Sequence, residues 1–396
     1  MIGARNGYTP RALFAGTEAR SRLRIQWTTP AWLSVAGALL LSFVGIASIS
    51  LTRPELAARQ GAFLLIGIAC ALLVTFASPR TLRISCWLIL AVALALLVFV
   101  LLPFVPRSIV TPRNGARAWI NLGAADFQPS ELAKIAFILC LAQWLAMRGS
   151  PRTLRALAVP IALFAVPVVL IVLEPDLGSA LLFLPTLVAM LVAAGTKKRF
   201  VVTALVAGAI AAPIGYFAVL KPYQRARIDA IVAQVKGDTR YERDIGFQGW
   251  RAMRLVGAGG VFGNDREHAQ ALVRFNALPE EHNDMVFAVV SCRFGLIGGL
   301  VTLLASAAVA LGALGVAWVV RDGFAKLVAV GIGALLFAQM VVNIGMTIGL
   351  LPITGITLPF VSYGGSSLVA CWTLVGLLVG IGVRPPTGGE KSAFDA

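Results

Sequence analysis

Repeated apolar runs are the feature that most constrains the fold of this chain. Ten runs of roughly membrane-spanning length are separated by polar segments, at 31–51, 61–78, 84–105, 133–147, 156–173, 177–195, 200–220, 285–320, 324–350 and 366–383. The chain is 58% hydrophobic and 13% charged, with a mean hydropathy of +0.85, a composition unlike that of soluble domains. We therefore predict an all-α polytopic membrane protein with about ten transmembrane helices. The run at 285–320 is too long for one perpendicular helix, so we expect it to tilt or to place its first turns in a cavity.

The distribution of charge orients these predicted helices. Ten crossings put both termini on one side, and choosing the cytoplasm places half of the 34 Lys and Arg residues in inner segments, while most of the 18 acids fall outside. The predicted organisation is a cytoplasmic tail over 1–30, a membrane domain over 31–383 with a large extracytoplasmic loop at 221–284, and a cytoplasmic tail over 384–396. This topology accounts for the net charge of +16 without nucleic acid as a partner. It also places every polar, motif-like segment outside the cytoplasm.

Cysteine and histidine usage excludes two common classes of site. All five cysteines lie inside apolar runs, and no pair of them has metal-ligand spacing. They are interpreted as small buried apolar residues rather than as disulfides. His268 and His282 are the only histidines, so a histidine-rich zinc site is not expected.

The segment that opens the fourth run combines charges in an unusual place. Arg117 precedes a Gln-Pro-Ser-Glu stretch at 128–131, and Glu131 is followed by Lys134. The i, i+3 spacing puts Glu131 and Lys134 on one helix face, where they can form an ion pair. A capped helix start with an interfacial tryptophan is the ordinary interpretation. Lys134, however, lies within the predicted span, where a charge needs a partner or a ligand.

Three further segments carry weaker signals. Glu174 and Asp176 flank a proline in the short connection between the fifth and sixth runs. Asp176 suits a helix N-cap, although a carboxylate pair can also hold a divalent cation such as Mg²⁺ or Mn²⁺. Arg225 and Arg227 form a basic cluster, and 257–263 is rich in glycine. Both suit phosphate oxygens, but a solvated basic loop near lipid headgroups explains them equally well.

Irregular backbone at membrane depth is the strongest physical hint of an internal cavity. Residues 351–367 mix glycines, prolines and hydroxyls, which a lipid-facing helix does not tolerate. We expect this segment to line a polar cavity that faces outward. Asp284 lies where the long loop meets the run at 285–320, next to Glu280, Glu281 and His282. A carboxylate at the mouth of a membrane helix is a functional hypothesis by default.

Together these motifs resemble the RodA/FtsW/SpoVE (SEDS) family of polytopic proteins over nearly the whole length. The resemblance is carried by 115–119, 127–131 with Lys134, 174–178, 223–224 with Arg227, 257–263, 278–280 with His282 and Asp284, and 343–367. Within the family, 354–355 is similar to RodA and 356–358 to FtsW, so the choice between a role in elongation and one in division stays open.

The resemblance implies a function and a set of site residues. It implies polymerisation of peptidoglycan glycan strands from lipid II with release of undecaprenyl diphosphate, and a transpeptidase partner of the class B penicillin-binding protein type. Asp284 corresponds to the family's essential aspartate and is the expected general base. The expected substrate-binding residues are Arg117, Glu131, Lys134, Asp176, Arg227, His282, Ser362 and Tyr363. Arg117, Lys134 and Arg227 are the candidates to stabilise the leaving diphosphate, with or without a divalent cation.

The chain departs from the family pattern at two places. Cys292 and Arg293 stand where the family usually has an acidic pair, and 264–268 replaces a second glycine-rich run. We expect Arg293 to form a salt bridge with Asp284 or to lower its pKa. Because both departures flank the expected site, two alternatives to an enzyme are retained: a flippase for the lipid-linked precursor, and a non-catalytic scaffold for the transpeptidase.

Overall fold

A computed structural model describes residues 28–384 except 114–115, 124, 152 and most of 204–245. Eleven helices lie in these described residues. They are α1 (Ala31–Thr52), α2 (Pro54–Thr75), α3 (Pro79–Leu101), α4 (Pro129–Arg148), α5 (Leu154–Leu173), α6 (Leu177–Ala193), α7 (Phe247–Ala258), α8 (Arg266–Asn276), α9 (Val286–Val319), α10 (Gly323–Thr347) and α11 (Gly365–Gly382).

The predicted all-α membrane class is confirmed. Among the described residues, eight helices are long and apolar enough to cross a membrane (α1–α5 and α9–α11), and α6 is a shorter apolar helix. Nine of the ten predicted runs therefore correspond to helices. The run at 200–220 lies mostly outside the described residues, so the number ten stays a prediction.

Two helices begin earlier than their apolar runs. α2 begins at Pro54 and α3 at Pro79, where a proline occupies the first turn and its missing N–H costs nothing. The Ser78 hydroxyl also accepts a hydrogen bond from the backbone N–H of Thr81 at 3.0 Å and caps α3. Hydropathy does not detect such polar first turns, which explains the late predicted starts at 61 and 84.

The helices form a bundle whose centre is α4, α10 and α11. Between 67% and 72% of their apolar windows is buried, against 22–28% for α2, α3 and α5. Small residues let neighbouring backbones approach closely. The Ser34 hydroxyl of α1 donates to the carbonyl of Val309 on α9 at 2.8 Å, and the Thr75 hydroxyl of α2 donates to that of Gly376 on α11 at 3.0 Å. These contacts place α1 along α9 and α2 along α11.

A small antiparallel sheet, which the sequence analysis did not predict, precedes α4. Its strands are β1 (Val110–Arg113), β2 (Ala116–Asn121) and β3 (Asp126–Phe127), in the order β1-β2-β3. β2 alternates inward and outward residues, and Ile120 joins Val100, Val105 and Val110 in a small apolar cluster. The sheet leads directly into the first turn of α4.

The long helix α9 is broken near its beginning. Gly295 has φ 66° and ψ −161°, a backbone conformation that is not helical and that favours glycine. The glycine-rich segment 257–263 packs into the break, so that the N–H groups of Leu296 and Ile297 donate to the carbonyls of Gly260 and Val261 at 2.9 and 3.3 Å. Residues 286–292, before the break, are buried. The first turns of this run are thus buried within the protein, and the expected tilt stays a prediction.

The two departures from the family pattern contact each other at this break. Arg293 Nη1 donates to the carbonyl of Asn264 at 2.7 Å, and Asn264 Nδ2 donates to the carbonyl of Cys292 at 2.8 Å. The Arg293 guanidinium also lies 5.1 Å from the centroid of the Phe294 ring. Arg293 is therefore engaged at the glycine-rich side of the break, and its expected effect on Asp284 stays a prediction.

The turn between α5 and α6 buries an acidic side chain. Asp176 Oδ1 accepts from the backbone N–H of Ser179 at 3.0 Å, which confirms the N-cap interpretation. Glu174 is 1% exposed, and neither of its carboxyl oxygens has a hydrogen-bond partner in the part of the chain that the structure describes. Burial, together with the negative charge of Asp176, raises the pKa of Glu174 to about 9. Glu174 is therefore neutral at pH 7.

Two glycines of the segment at the α9 break give a matched test of the packing. A Cβ at position 259 would collide with the backbone of Ser291 and Cys292, whereas a Cβ at position 257 would meet nothing within 4 Å. We expect Gly259→Ala to destabilise the protein by about 1–3 kcal/mol, as overpacking does, and Gly257→Ala to be neutral or slightly stabilising. Thermal unfolding of both variants in detergent measures this difference; equal unfolding temperatures would contradict the packing at the break.

The buried acid predicts a pH dependence of stability. Because folding raises the pKa of Glu174 from 4.5 to about 9, the folded state holds more protons between these values, and stability falls as the pH rises through that window. The slope contributed by this group is at most about 1.4 kcal/mol per pH unit. We expect Glu174→Gln to flatten the decline of the unfolding temperature between pH 5 and pH 9. The exposed Glu267→Gln serves as control, and an unchanged slope in Glu174→Gln would show that Glu174 is ionised in the fold.

Candidate active site

A buried irregular loop, residues 351–364, lies at the centre of the site and is called the central loop below. Ile356, Leu358, Phe360, Val361 and Ser362 are each 5% exposed or less. Irregular backbone at this position is therefore enclosed by protein, and the expected outward-facing polar cavity along it stays a prediction.

Three side-chain amides from two helices, α2 and α10, satisfy the backbone of the central loop. Asn343 Nδ2 donates to the carbonyl of Ile356 at 2.6 Å, and Gln339 Nε2 donates to that of Thr357 at 3.0 Å. From α2, Gln60 Nε2 donates to the carbonyl of Ser362 at 2.8 Å. Because buried carbonyls without partners are costly, these amides fix the path of the loop.

The central loop also holds the segment that carries Asp284. The Ser362 hydroxyl donates to the carbonyl of Asn283 at 2.7 Å, and the backbone N–H of Tyr363 donates to that of His282 at 2.8 Å. Asn343 Nδ2 donates to the backbone carbonyl of Asp284 at 2.8 Å. The side chain of Asp284 faces Gly355, where a Cβ would lie 3.4 Å from its Oδ2.

Four of the predicted site residues are therefore brought together. Asp284, His282, Ser362 and Tyr363 form one group, in which the rings of His282 and Tyr363 have centroids 5.9 Å apart. The backbone of the group is fixed on both sides by hydrogen bonds, so Asp284 stands at a defined point just before the buried start of α9. Such preorganisation suits a catalytic carboxylate.

A second group lies on the α4 side of the central loop. Lys134 Nζ and Glu131 Oε1 are 2.9 Å apart, and the two residues are 4% and 6% exposed. This confirms the ion pair predicted from their spacing. Gln128 Nε2 donates to Asp176 Oδ2 at 3.0 Å and thereby joins the start of α4 to the start of α6.

The second group reaches the central loop through the start of α11. The backbone N–H of Gln128 donates to the hydroxyl of Ser366 at 3.1 Å, and the hydroxyls of Ser367 and Thr357 are 3.0 Å apart. In addition, Gly178 lies so close to the loop that a Cβ there would be 2.6 Å from the carbonyl of Thr354. Both groups of predicted residues thus border the same loop.

Of the two predicted arginines, Arg117 has its described hydrogen bond away from these groups. Arg117 lies on β2, and its Nη2 donates to the carbonyl of Val105 at 3.0 Å, which ties the sheet to the segment after α3. Arg227 lies outside the described residues. A role for either in binding substrate stays a prediction.

Charges near His282 alter its acid–base behaviour. Burial lowers the pKa of His282, the positive charge of Arg53 lowers it further, and Glu280 opposes the shift. Burial raises the pKa of Glu281, against the effect of Arg53. His282 is therefore neutral at pH 7, and its Nδ1 is buried without a hydrogen-bond partner among the described residues.

Sequence reasoning missed three residues that shape the site: Gln60, Gln339 and Arg53. The signal available for the first two was an isolated amide inside an apolar run, a position where polar side chains are expensive unless they have a partner. Arg53 stands in the one-residue connection between α1 and α2, and nothing in the sequence relates it to His282.

No group of three or more His, Cys, Asp or Glu side chains is placed to hold a metal ion within the described residues. The acids near the central loop have other contacts: Glu131 pairs with Lys134, and Asp176 caps α6. A divalent cation at Asp284, Glu174 or Asp176 stays a prediction.

Comparison with known proteins gives consistent matches. The family model for FtsW, RodA and SpoVE, described as cell cycle protein, matches residues 25–384. The chain is 33% identical to the peptidoglycan glycosyltransferase MrdB of Escherichia coli K12, over 67% of this chain and 71% of that protein. It is also 33% identical to the stage V sporulation protein E of Bacillus subtilis, over 82% and 86% of the two chains.

Solved structures agree with this result. A chain from a peptidoglycan synthase complex, studied for its coordination of polymerization and crosslinking, superposes with a TM-score of 0.74 at 30% identity, covering 88% of this chain and 96% of that one. The rod shape determining protein RodA of Thermus thermophilus superposes with a TM-score of 0.65 at 28% identity, covering 91% and 97%. The chain therefore belongs to the FtsW/RodA/SpoVE family.

Proposed function

We propose that this protein is a peptidoglycan glycosyltransferase that polymerises glycan strands from lipid II. The relatives from E. coli and from Legionella pneumophila carry the name peptidoglycan glycosyltransferase, the second as a probable one. The observation that carries the proposal is the position of Asp284, whose backbone is tied to Asn343 and whose carboxylate faces Gly355 of the central loop.

In the proposed reaction, Asp284 is the general base. A sugar hydroxyl at one chain end loses its proton to the Asp284 carboxylate while its oxygen forms a bond to the anomeric carbon of the second substrate. The bond between that carbon and the diphosphate oxygen breaks, and its electron pair leaves with undecaprenyl diphosphate. The proton is then released from Asp284 to solvent, which restores the carboxylate for the next cycle.

Positive charge is required where the diphosphate leaves. Lys134 is the proposed partner of the developing negative charge, with Arg117, Arg227 and a divalent cation (Mg²⁺ or Mn²⁺) as further candidates. Glu131 holds the Lys134 ammonium at 2.9 Å and so keeps a buried cation in place while the site is empty. Asp176, His282, Ser362 and Tyr363 are the proposed substrate-binding residues beside it.

The protein is proposed to act at the outer side of the bacterial cytoplasmic membrane, with both termini in the cytoplasm. That location follows from the basic inner segments and gives access to the lipid-linked substrate within membrane lipids. A class B penicillin-binding protein transpeptidase is the proposed partner. The similar chain from a peptidoglycan synthase complex supports this, since that complex couples polymerization to crosslinking.

The catalytic role is tested by Asp284→Asn. Removing the base at the reacting hydroxyl is expected to lower the rate of glycan polymerisation from labelled lipid II by about 10²-fold or more, with unchanged thermal unfolding. Glu267→Gln, an exposed acid on α8, is the matched control. Wild-type rates in Asp284→Asn would exclude the general base. A wild-type protein that makes no polymer even with its transpeptidase would instead favour the scaffold.

A double substitution separates the proposed catalytic role of the buried ion pair from its structural role. Removing one partner leaves a buried charge, so Glu131→Gln alone is expected to destabilise the protein by about 3–5 kcal/mol. The double variant Glu131→Gln with Lys134→Met has no unpaired charge and is expected to regain most of this stability. If Lys134 contacts the diphosphate, the double variant folds but polymerises poorly; recovery of wild-type activity would reduce Lys134 to a packing role.

A further inference from the structure

A cavity of about 350 Å³ opens beside the segment that carries Asp284. Three elements form it: the end of α1 with the connection to α2, one face of α8, and the segment after α8. Its lining residues are Thr52, Arg53, Gln270, Val273, Arg274, and Ala277 through His282.

The walls of this cavity carry opposite charges. Arg53 and Arg274 contribute two guanidinium groups from the α1 and α8 walls, and Glu280 and Glu281 contribute two carboxylates from the third wall. Glu280 Oε2 accepts from Asn283 Nδ2 at 2.6 Å. Among the described residues, the side chains of Arg53, Arg274 and Glu281 make no hydrogen bond or ion pair, and Arg53 acts on Glu281 through its charge.

The cavity is built on a rigid base. Val273 and Leu278 are 2% and 3% exposed and pack in an apolar cluster with residues of α1, α7 and α9. From α7, Arg251 Nη1 donates to the carbonyl of Ala277 at 2.8 Å, and Gln248 Nε2 donates to that of Pro279 at 3.2 Å. These bonds hold the backbone of the third wall in place before a ligand binds.

The cavity adjoins the segment that carries the proposed catalytic group. His282 lines it, and Asp284 follows two residues later. The carbonyl of His282 is fixed by Tyr363, and the carbonyl of Asn283 by Ser362. A ligand group in the cavity therefore lies beside a substrate whose hydroxyl reacts at Asp284.

We propose that this cavity binds the peptide stem of the lipid-linked substrate through its carboxylate and ammonium groups. The inference rests on the proposed function. A peptide that carries both charges complements guanidinium groups on two walls and carboxylates on the third. A diphosphate fits less well, because Glu280 and Glu281 would repel it. The volume also suits a few residues of an extended peptide rather than the fold of a partner protein.

The test compares two substrates in the full-length protein. Lipid II with its complete peptide stem and the same lipid-linked disaccharide after removal of the peptide are polymerised by wild type, Arg274→Gln and Arg53→Gln. We expect the KM of the wild type to be lower for the peptide-bearing substrate than for the peptide-free one. The KM for the peptide-free substrate divided by the KM for the peptide-bearing substrate measures the contribution of the peptide. Loss of one charge-assisted contact is expected to reduce this KM ratio about ten-fold, with kcat changed less. Arg266→Gln, on α8 outside the cavity, is the matched control and should keep the wild-type ratio.

A second measurement does not depend on turnover. A soluble stem peptide with a free side-chain ammonium is titrated against the purified protein, and Arg274→Gln and Glu281→Gln are each expected to weaken its binding about ten-fold. Peptide binding that persists in Asp284→Asn supports the cavity even if the general base is assigned wrongly. No binding of the peptide to wild type, or an equal rise in KM for both substrates, overturns the proposal. Weaker affinity for the transpeptidase with an unchanged KM ratio would also overturn it and assign the cavity to the partner.

Discussion

The burial of irregular backbone is the constraint on which the rest of this structure depends. Peptide groups at membrane depth must be hydrogen-bonded within the protein, and the central loop meets this need with amides from Gln60, Gln339 and Asn343. Asn343 serves two acceptors, the carbonyls of Ile356 and Asp284. The group that satisfies the loop is therefore the group that positions the proposed base, so stability and catalysis depend on one side chain.

The break in α9 follows from the same constraint. When a helix opens, its N–H groups need new acceptors, and here the carbonyls of Gly260 and Val261 replace the lost ones. Asn264 and Arg293 then bond across the break, although both positions depart from the pattern expected for the family. The two departures contact each other, so we treat them as one change. Asn264 and Arg293 stabilise the break at positions where glycine and an acid were expected.

The features that could be predicted from the sequence were local or were imposed by the membrane. Spacing alone paired Glu131 with Lys134, the Asp176 cap followed from its position before α6, and composition alone showed that 351–367 could not face lipid. The break at Gly295 could not be predicted, because it depends on a segment more than thirty residues earlier packing into the helix. The roles of Gln60 and Arg53 were also missed, since each acts on residues more than two hundred positions away.

The environments of the carboxylates around the central loop favour Asp284 as the proton acceptor. Glu131 is committed to Lys134, and a proton on it would leave a buried ammonium without its counter-ion. Asp176 caps α6 and binds Gln128, so protonating it would weaken two contacts that join helices. Glu174 already holds a proton at pH 7, because its pKa is about 9, and cannot act as a base. The carboxylate of Asp284 instead lies beside Gly355 of the central loop. Accepting a proton there disturbs none of the bonds that hold its own backbone in place, which is what a base that must be regenerated in every cycle requires.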